Sequence, residues 1–360
     1  MKRITVACLQ VNNHYGGDVI SDVIAATRRA DALLSPLKAK AAAAAAVVAA
    51  GIAGQTPGVA TVQQFPASSQ LRPSKFYEHV RSERRPDVLV LPELAFTGYG
   101  FPSKAAIWPF LEPTASGIST RWAQRTAKEL SCNVIVGYPE LAKTANQSGM
   151  VYNSAVVVAP SGAVIYNYRK HFLFEADEKW GARPGPDGFG SVELQTQANE
   201  KIKVALGICM DLNPEKFQAP FDKFEFANFA IGKDADLIVM PMAWLCSRQP
   251  AQQEVNKHAL GGLDVVDDDL KLGPDSSTVQ YWARRLSPVR DLYLNDPPKR
   301  DRPAGFVVAN RSGIENKTDG TAVRYAGSST TMKFEAGGRI TALDVLPCDQ
   351  EGLSVVDINI

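Results

Sequence analysis

Neither sign of charge dominates this chain: 39 lysines and arginines stand against 38 aspartates and glutamates, a net charge of +1 over 360 residues. Such a balance supplies no field to attract nucleic acid or a membrane surface, and neither is expected as a partner. Cysteine is scarce and dispersed. The five present (Cys8, Cys132, Cys209, Cys246 and Cys348) form no CxxC pair and have no histidine at ligand spacing. That argues against a disulfide framework and a zinc site, and suits a reducing, cytoplasmic setting. Long apolar runs are missing too. "AAAAAAVVAAGIAG" (41–54) is too short and too rich in Ala and Gly to span a bilayer. The apolar part of "MKRITVACLQV" is too short and interrupted for a signal peptide. Charge is absent altogether from Ala41 to Leu71, where Ala, Gly, Pro, Ser and Gln dominate. This reads as a low-complexity insert at about 39–72, a loop or partly helical excursion with little core of its own.

What is present is an ordinary globular composition, 45% apolar and 21% charged. Alternating Ile4, Val6 and Cys8 predict a first buried strand. "DVISDVIAATRRADALLSPLKAK" predicts an amphipathic helix ending near Pro36. Strands are expected at "PDVLVLPE", "NVIVGYPE", "KIKVALGIC" and "ADLIVMPMAW", and a hairpin across "MVYNSAVVVAP-SG-AVIYNYRK". Helical segments fall between them, at "STRWAQRTAKEL" and, broken at Pro220, at "PEKFQAPFDKFEFANFAIG". Residues from about 248 to 300 are polar and irregular apart from a helix near "STVQYWARRL", and strands return at "GFVVAN", "STTMKFE" and "RITALDVLP". Strands alternating with helices, with hairpins and no linker or repeat, predict an α/β sandwich in a single domain over 1–360.

Three strand ends carry reactive groups. "VLVLPE" ends on Glu93, where α/β folds gather their sites. Lys170 follows the hairpin, wedged before His171 and the apolar Phe172, Leu173 and Phe174, with Glu178 placed to pair with it. "KVALGICMDLNP" (203–214) runs an apolar strand into Cys209. Asn213-Pro214 reads as an N-cap followed by Pro at N1, so a helix is expected just past the thiol, lowering its pKa. Taken singly, each residue has an ordinary alternative: a solvated carboxylate, a solvated strand-end lysine, a small buried apolar group.

Together, "LPE-x4-GY" around Glu93, "YRK" around Lys170 and "G-x-C-x-D" around Cys209 resemble the nitrilase (carbon–nitrogen hydrolase) superfamily, from Thr5 to about Trp244 and again weakly at "GFVVANRSG" and "AGSST". The resemblance implies a four-layer α-β-β-α sandwich and a Glu93–Lys170–Cys209 constellation, with Glu178 as a second glutamate and Glu175 as its competitor. It also implies the roles: Cys209 attacks a carbonyl and Glu93 moves the protons, while Lys170 and the Met210 N–H hold the oxyanion. Glu178 would fix Lys170, and Asp211 would brace the turn. No metal or organic cofactor is expected.

The longer string "GICMDLNPEKFQAPFDKFEFANFA", with "YRKHFLFEADEKWG" and "MPMAWL", is similar to a fungal branch of that family which deamidates Asn or Gln at protein N-termini, in the N-degron pathway. That resemblance implies peptide or protein N-termini bearing Asn or Gln as substrate partners. A protonated α-amine calls for a carboxylate or carbonyls beside the pocket, and Glu175, Asp177, Asp211 and Glu215 are the candidates. Trp244 is a candidate pocket wall. Rival readings are a small-molecule ω-amidase, carbamoylase or nitrilase of the same superfamily, and a catalytically silent scaffold. The insertion at 248–300 could shape the pocket rim or block a dimer contact, leaving monomer and homodimer both open.

Overall fold

A computed structural model describes residues 2–12, 19–52, 76–82, 84–143, 149–247, 273–295, 303–316 and 322–360. The first sheet runs in spatial order β2 (Phe76–Val80), β16 (Glu351–Asn359), β1 (Arg3–Gln10), β3 (Val88–Val90), β5 (Asn133–Ala142), β6 (Met150–Val158) and β7 (Val164–Arg169), with β4 (Glu112–Pro113) beside β5. The second runs β15 (Arg339–Val345), β14 (Thr330–Glu335), β11 (Ala304–Asn310), β10 (Leu237–Met242), β9 (Lys201–Leu206) and β8 (Gly190–Gln195). Both sheets are mixed: β1–β3–β5 and β9–β10–β11 pair in parallel, while β5–β6–β7 and β11–β14–β15 are antiparallel. A short hairpin, β12 (Ile314–Asn316) with β13 (Ala322–Arg324), stands apart.

Period-two side-chain alternation sorts the layers. On β1, Ile4, Val6 and Cys8 enter the core shared with the second sheet, while Ala7 and Leu9 enter a separate core under helices. The same division holds on β6, with Ala155 and Val157 inward and Val156 and Val158 outward. The outer face of the first sheet is covered by α1 (Val19–Leu33), α2 (Ser35–Ile52) and α4 (Ile118–Leu130), through Leu33, Leu34, Leu37, Trp122 and Leu130. The second sheet is covered by α6 (Glu225–Gly232), α7 (Ser276–Arg285) and α8 (Ser287–Asn295), through Phe226, Ala230, Trp282, Val289 and Tyr293. The short helices α3 (Lys104–Ile107) and α5 (Glu175–Lys179) lie outside these layers. The expected α-β-β-α sandwich is the observed architecture.

Two expectations need correction. Pro36 does not close the first helix: α1 stops at Leu33, and α2 starts at Ser35 with Pro36 in its first turn. Proline is compatible with that position because its missing N–H has no partner to lose there, and the alanine run that follows is strongly helix-forming. The uncharged insert therefore begins as helix as far as Ile52, and residues 53–75 lie outside the described residues, as do 248–272 and 296–302 of the later insertion. The second correction is β16, a strand that periodicity near the end of the chain did not reveal. It pairs antiparallel with β1 from Arg3↔Asn359 to Gln10↔Gly352. Buried on both faces, "EGLSVVDIN" shows no simple alternation. Among the described residues no helix is long and apolar enough to cross a membrane.

Leu353, fully buried on β16 against the helix-side core, provides a test of that strand. Leu353→Ala should lower the unfolding free energy by about 2–5 kcal/mol in a urea titration; a change below about 0.5 kcal/mol would contradict the placement.

Candidate active site

Four chain segments leaving strands of both sheets converge. Glu93 lies three residues beyond β3, Lys170 directly follows β7, Cys209 lies three residues beyond β9, and Ala243 directly follows β10. Glu93, Lys170 and Asp177 are entirely buried. Lys170 Nζ lies 2.6 Å from Glu93 Oε1 and 2.7 Å from Asp177 Oδ2. Asn153 on β6 ties the same two carboxylates together, its Nδ2 donating to Glu93 Oε1 at 2.6 Å and to Asp177 Oδ1 at 2.9 Å. The Ala243 N–H donates to Glu93 Oε2 at 2.8 Å and also faces the Cys209 sulfur, which sets the thiol beside that oxygen.

The backbone around these groups is compressed. Gly137 on β5 packs so closely behind Glu93 that an added Cβ would lie 2.6 Å from the Pro92 carbonyl and 2.7 Å from Glu93 Cα. Leu94 and Cys209 both hold positive φ, 45° and 44°, each a conformation that costs about 1–3 kcal/mol for a side-chain-bearing residue. Cys209 is the first residue of a tight 3-10 turn, Cys209–Leu212. Asp211 braces that turn. Its Oδ2 accepts from Ile208 N and Tyr168 Oη, both at 2.7 Å, and its Oδ1 from Phe172 N at 2.7 Å and His171 N at 3.2 Å.

The expected helix just past the thiol is not there. Asn213 is the extended residue that ends the 3-10 turn, and the next α-helix, α6, starts only at Glu225. No long helix dipole therefore acts on Cys209, and the expectation of a lowered thiol pKa is overturned. Burial and then the Glu93 charge push the thiol well above its ordinary value, against the smaller pull of Lys170 and the Ala243 N–H. Burial also raises Glu93, opposed by Lys170 and assisted by Asp177. Burial works against the Lys170 charge, but Asp177 and Glu93 outweigh it and the ammonium sits above its ordinary value. These effects favour the neutral form of the thiol, make the Glu93 carboxyl more basic and favour the charged form of the lysine. The arrangement suits acyl transfer through sulfur, with proton transfer between Cys209 and Glu93.

A model of the carbon–nitrogen hydrolase family matches residues 30–216, which include Glu93, Lys170 and Cys209. A protein N-terminal amidase of Schizosaccharomyces pombe is 31% identical over 78% of this chain and 90% of its own length. The chain belongs to the carbon–nitrogen hydrolase family. A protein N-terminal amidase of Saccharomyces cerevisiae is 37% identical over 57% of this hydrolase, which there spans only 55% of the yeast protein. A crystal structure of an N-terminal amidase with a Gln-Val peptide superposes with a TM-score of 0.69 at 23% identity, over 99% of this chain and 98% of that one. At that identity the likeness establishes the fold.

The other residues singled out in the sequence fall into three groups. Asp177 is buried on Lys170 and not presented to an amine. It takes the place given to Glu178, which is exposed and lies 4.0 Å from Lys216. Glu175 and Glu215 are exposed, Glu175 lying 3.5 Å from Lys179. Asp211 spends its oxygens on the turn and not on a ligand. Met210 is buried next to the thiol, and Trp244 is half-buried, its ring 5.6 Å from that of Tyr281. Helical register explains the Glu178 error: in so short a helix the one-residue difference between 177 and 178 decides which acid faces inward. Sequence reading missed Asn153 and Tyr99. A lone Asn among the buried aliphatics of "VYNSAVVV" was the available signal for the first. Tyr99 Oη is buried without a hydrogen-bond partner among the described residues, and it lies close enough to Asp177 and Glu93 for their charges to act on it.

Two substitutions separate the neighbouring acids. Asp177→Asn breaks a buried ion pair and should lower stability by about 3–5 kcal/mol, while Glu178→Gln should stay within about 0.5 kcal/mol of the parent. Chemical denaturation measures both, and the reverse order would restore Glu178 as the partner of Lys170. Gly137→Ala should cost about 1–3 kcal/mol by overpacking behind Glu93, read in the same titration.

Proposed function

We propose that this hydrolase deamidates Asn and Gln at the N-termini of peptides or proteins, releasing ammonia and leaving Asp or Glu. The observation that carries the reading is the match to the S. pombe N-terminal amidase across 90% of that protein's length, joined to a buried Glu93–Lys170–Asp177 cluster beside Cys209. The likeness to N-terminal amidase structures holding Gln-Val and Asn-Glu peptides supports it.

The proposed chemistry follows from the donor and acceptor count. Among the described residues Glu93 Oε1 receives two donors and Oε2 only the Ala243 N–H, so Oε2 keeps a lone pair for the Cys209 proton. Thiol attack on the side-chain amide carbonyl then gives a tetrahedral oxyanion. Lys170 has three N–H bonds, of which two are held by Glu93 and Asp177. The third is left for the oxyanion, with the Met210 N–H as second donor. Glu93 returns the proton to the departing nitrogen as ammonia, then takes one from the water that cleaves the thioester. Collapse to the thioester consumes Cys209, and hydrolysis regenerates it as Glu93 passes the water's proton to the departing sulfur, so one water enters for each ammonia released.

Ammonia release by variants, its dependence on the peptide N-terminus and its pH profile test this. Cys209→Ala and Glu93→Gln should each abolish ammonia release with the fold retained, and Lys170→Ala should lose at least about two orders of magnitude in kcat; turnover by either of the first two would refute the mechanism. Asn-Xaa and Gln-Xaa peptides with free N-termini should be turned over and their acetylated counterparts should not; equal rates, or turnover of free glutamine alone, would move the substrate to small amides. Because Glu93 must be ionised to act and burial raises its pKa, the acid limb of kcat/KM should lie above that of an ordinary glutamate, about 4.3. A limb at or below that value would remove Glu93 as the base.

A further inference from the structure

Five cysteines far apart in sequence suggested no bridge, yet the fold seats two of them together. Cys246 and Cys348 have sulfurs 3.7 Å apart, the Cys348 thiol donating, and both are buried, 4% and 1% exposed. Neither belongs to the Glu93–Lys170–Cys209 cluster. Cys246 ends a strap that leaves β10: its N–H donates to the Arg324 carbonyl at 2.8 Å and its thiol to Asp275 Oδ2 at 3.4 Å. Asp275 is itself fixed, accepting from Ser247 N and Oγ and from Thr278 N at the start of α7. Cys348 lies in the connection between β15 and β16, its sulfur 3.5 Å from the Tyr325 carbonyl. Trp244, two residues before Cys246, packs against this sulfur pair.

We propose that Cys246 and Cys348 form an oxidisable dithiol that hydrogen peroxide closes to a disulfide. The sulfurs are already in van der Waals contact, and a disulfide length of about 2.05 Å requires them to approach by less than about 2 Å. The step balances with peroxide as the oxidant. The Cys246 sulfur, its proton released, attacks one peroxide oxygen and breaks the O–O bond, giving a sulfenic acid and one water. The Cys348 sulfur then attacks the sulfenic sulfur, forming the S–S bond and expelling the oxygen as a second water. Two S–H bonds are lost and two electrons pass to one peroxide. The bridge ties the strap that begins at Ala243, whose N–H meets Glu93 and faces Cys209, to the segment before β16.

The test uses the full chain carrying Cys209→Ala, so that the candidate nucleophile does not consume peroxide. After peroxide treatment the protein is denatured, its free thiols are alkylated, and it is digested without reductant for mass spectrometry. The expected result is a linked Cys246–Cys348 peptide as the major form of both residues, released by dithiothreitol and absent when Cys348→Ser is added. Recovery of Cys246 and Cys348 as separate alkylated or over-oxidised peptides would overturn the proposal. The linkage is read in the Cys209→Ala parent, so a folding failure of the Cys348→Ser protein does not blunt it. The readout is independent of substrate, so it stands or falls separately from the deamidation reading.

Discussion

One ammonium holds two carboxylates, all three buried from the surface. Lys170, between Glu93 and Asp177, is the constraint on which the rest of the site rests. Three buried charges with one positive leave the cluster one negative charge in excess, and a thiolate at Cys209 would make it two. Burial first, and then the Glu93 charge, push the thiol well above its ordinary value. In the proposed reaction Cys209 is not stored as an anion and becomes nucleophilic as Glu93 accepts its proton. Removing one member of such a buried group leaves the others uncompensated, so its parts are coupled in stability as well as in chemistry.

The backbone supplies the positions that this charge group needs. Glu93 is pressed from behind by Gly137, and its oxygens are met by Asn153, Lys170 and the Ala243 N–H. The donors come from β6 and the end of β7 in one sheet and from the end of β10 in the other, so the two sheets must pack in one register for the carboxylate to be satisfied. The positive φ at Leu94 and at Cys209 is local strain maintained by that packing.

Much of this was legible in the sequence, for identifiable reasons. Glu93, Lys170 and Cys209 each close a stretch with clear strand character, and their surrounding motifs are distinctive. The inner strands could be read because their flanks carry turn residues. What escaped was decided by tertiary structure. Strand β16 is buried on both faces and shows no alternation. Asp177 was chosen over Glu178 by the rotation of a five-residue helix, which adjacent acids in a sequence do not disclose. The thiol's electrostatics depended on whether Asn213-Pro214 opened a helix, and it ends a 3-10 turn instead. Asn153 contributes through contact with residues 60 positions before it and 24 after it, a relation only folding creates. The approach of Cys246 and Cys348 has the same origin.

Asp211 touches residues on both sides of Lys170 (Tyr168, His171 and Phe172) and also the residue before Cys209. It acts as a gauge, setting the separation of Cys209 and Lys170 from inside the protein. A gauge that rests wholly on buried contacts leaves the surface free to change. Exposed residues such as Glu175, Glu178 and Glu215 can be exchanged by mutation without resetting that separation. A scaffold built this way can vary its surface while its buried groups stay where they are.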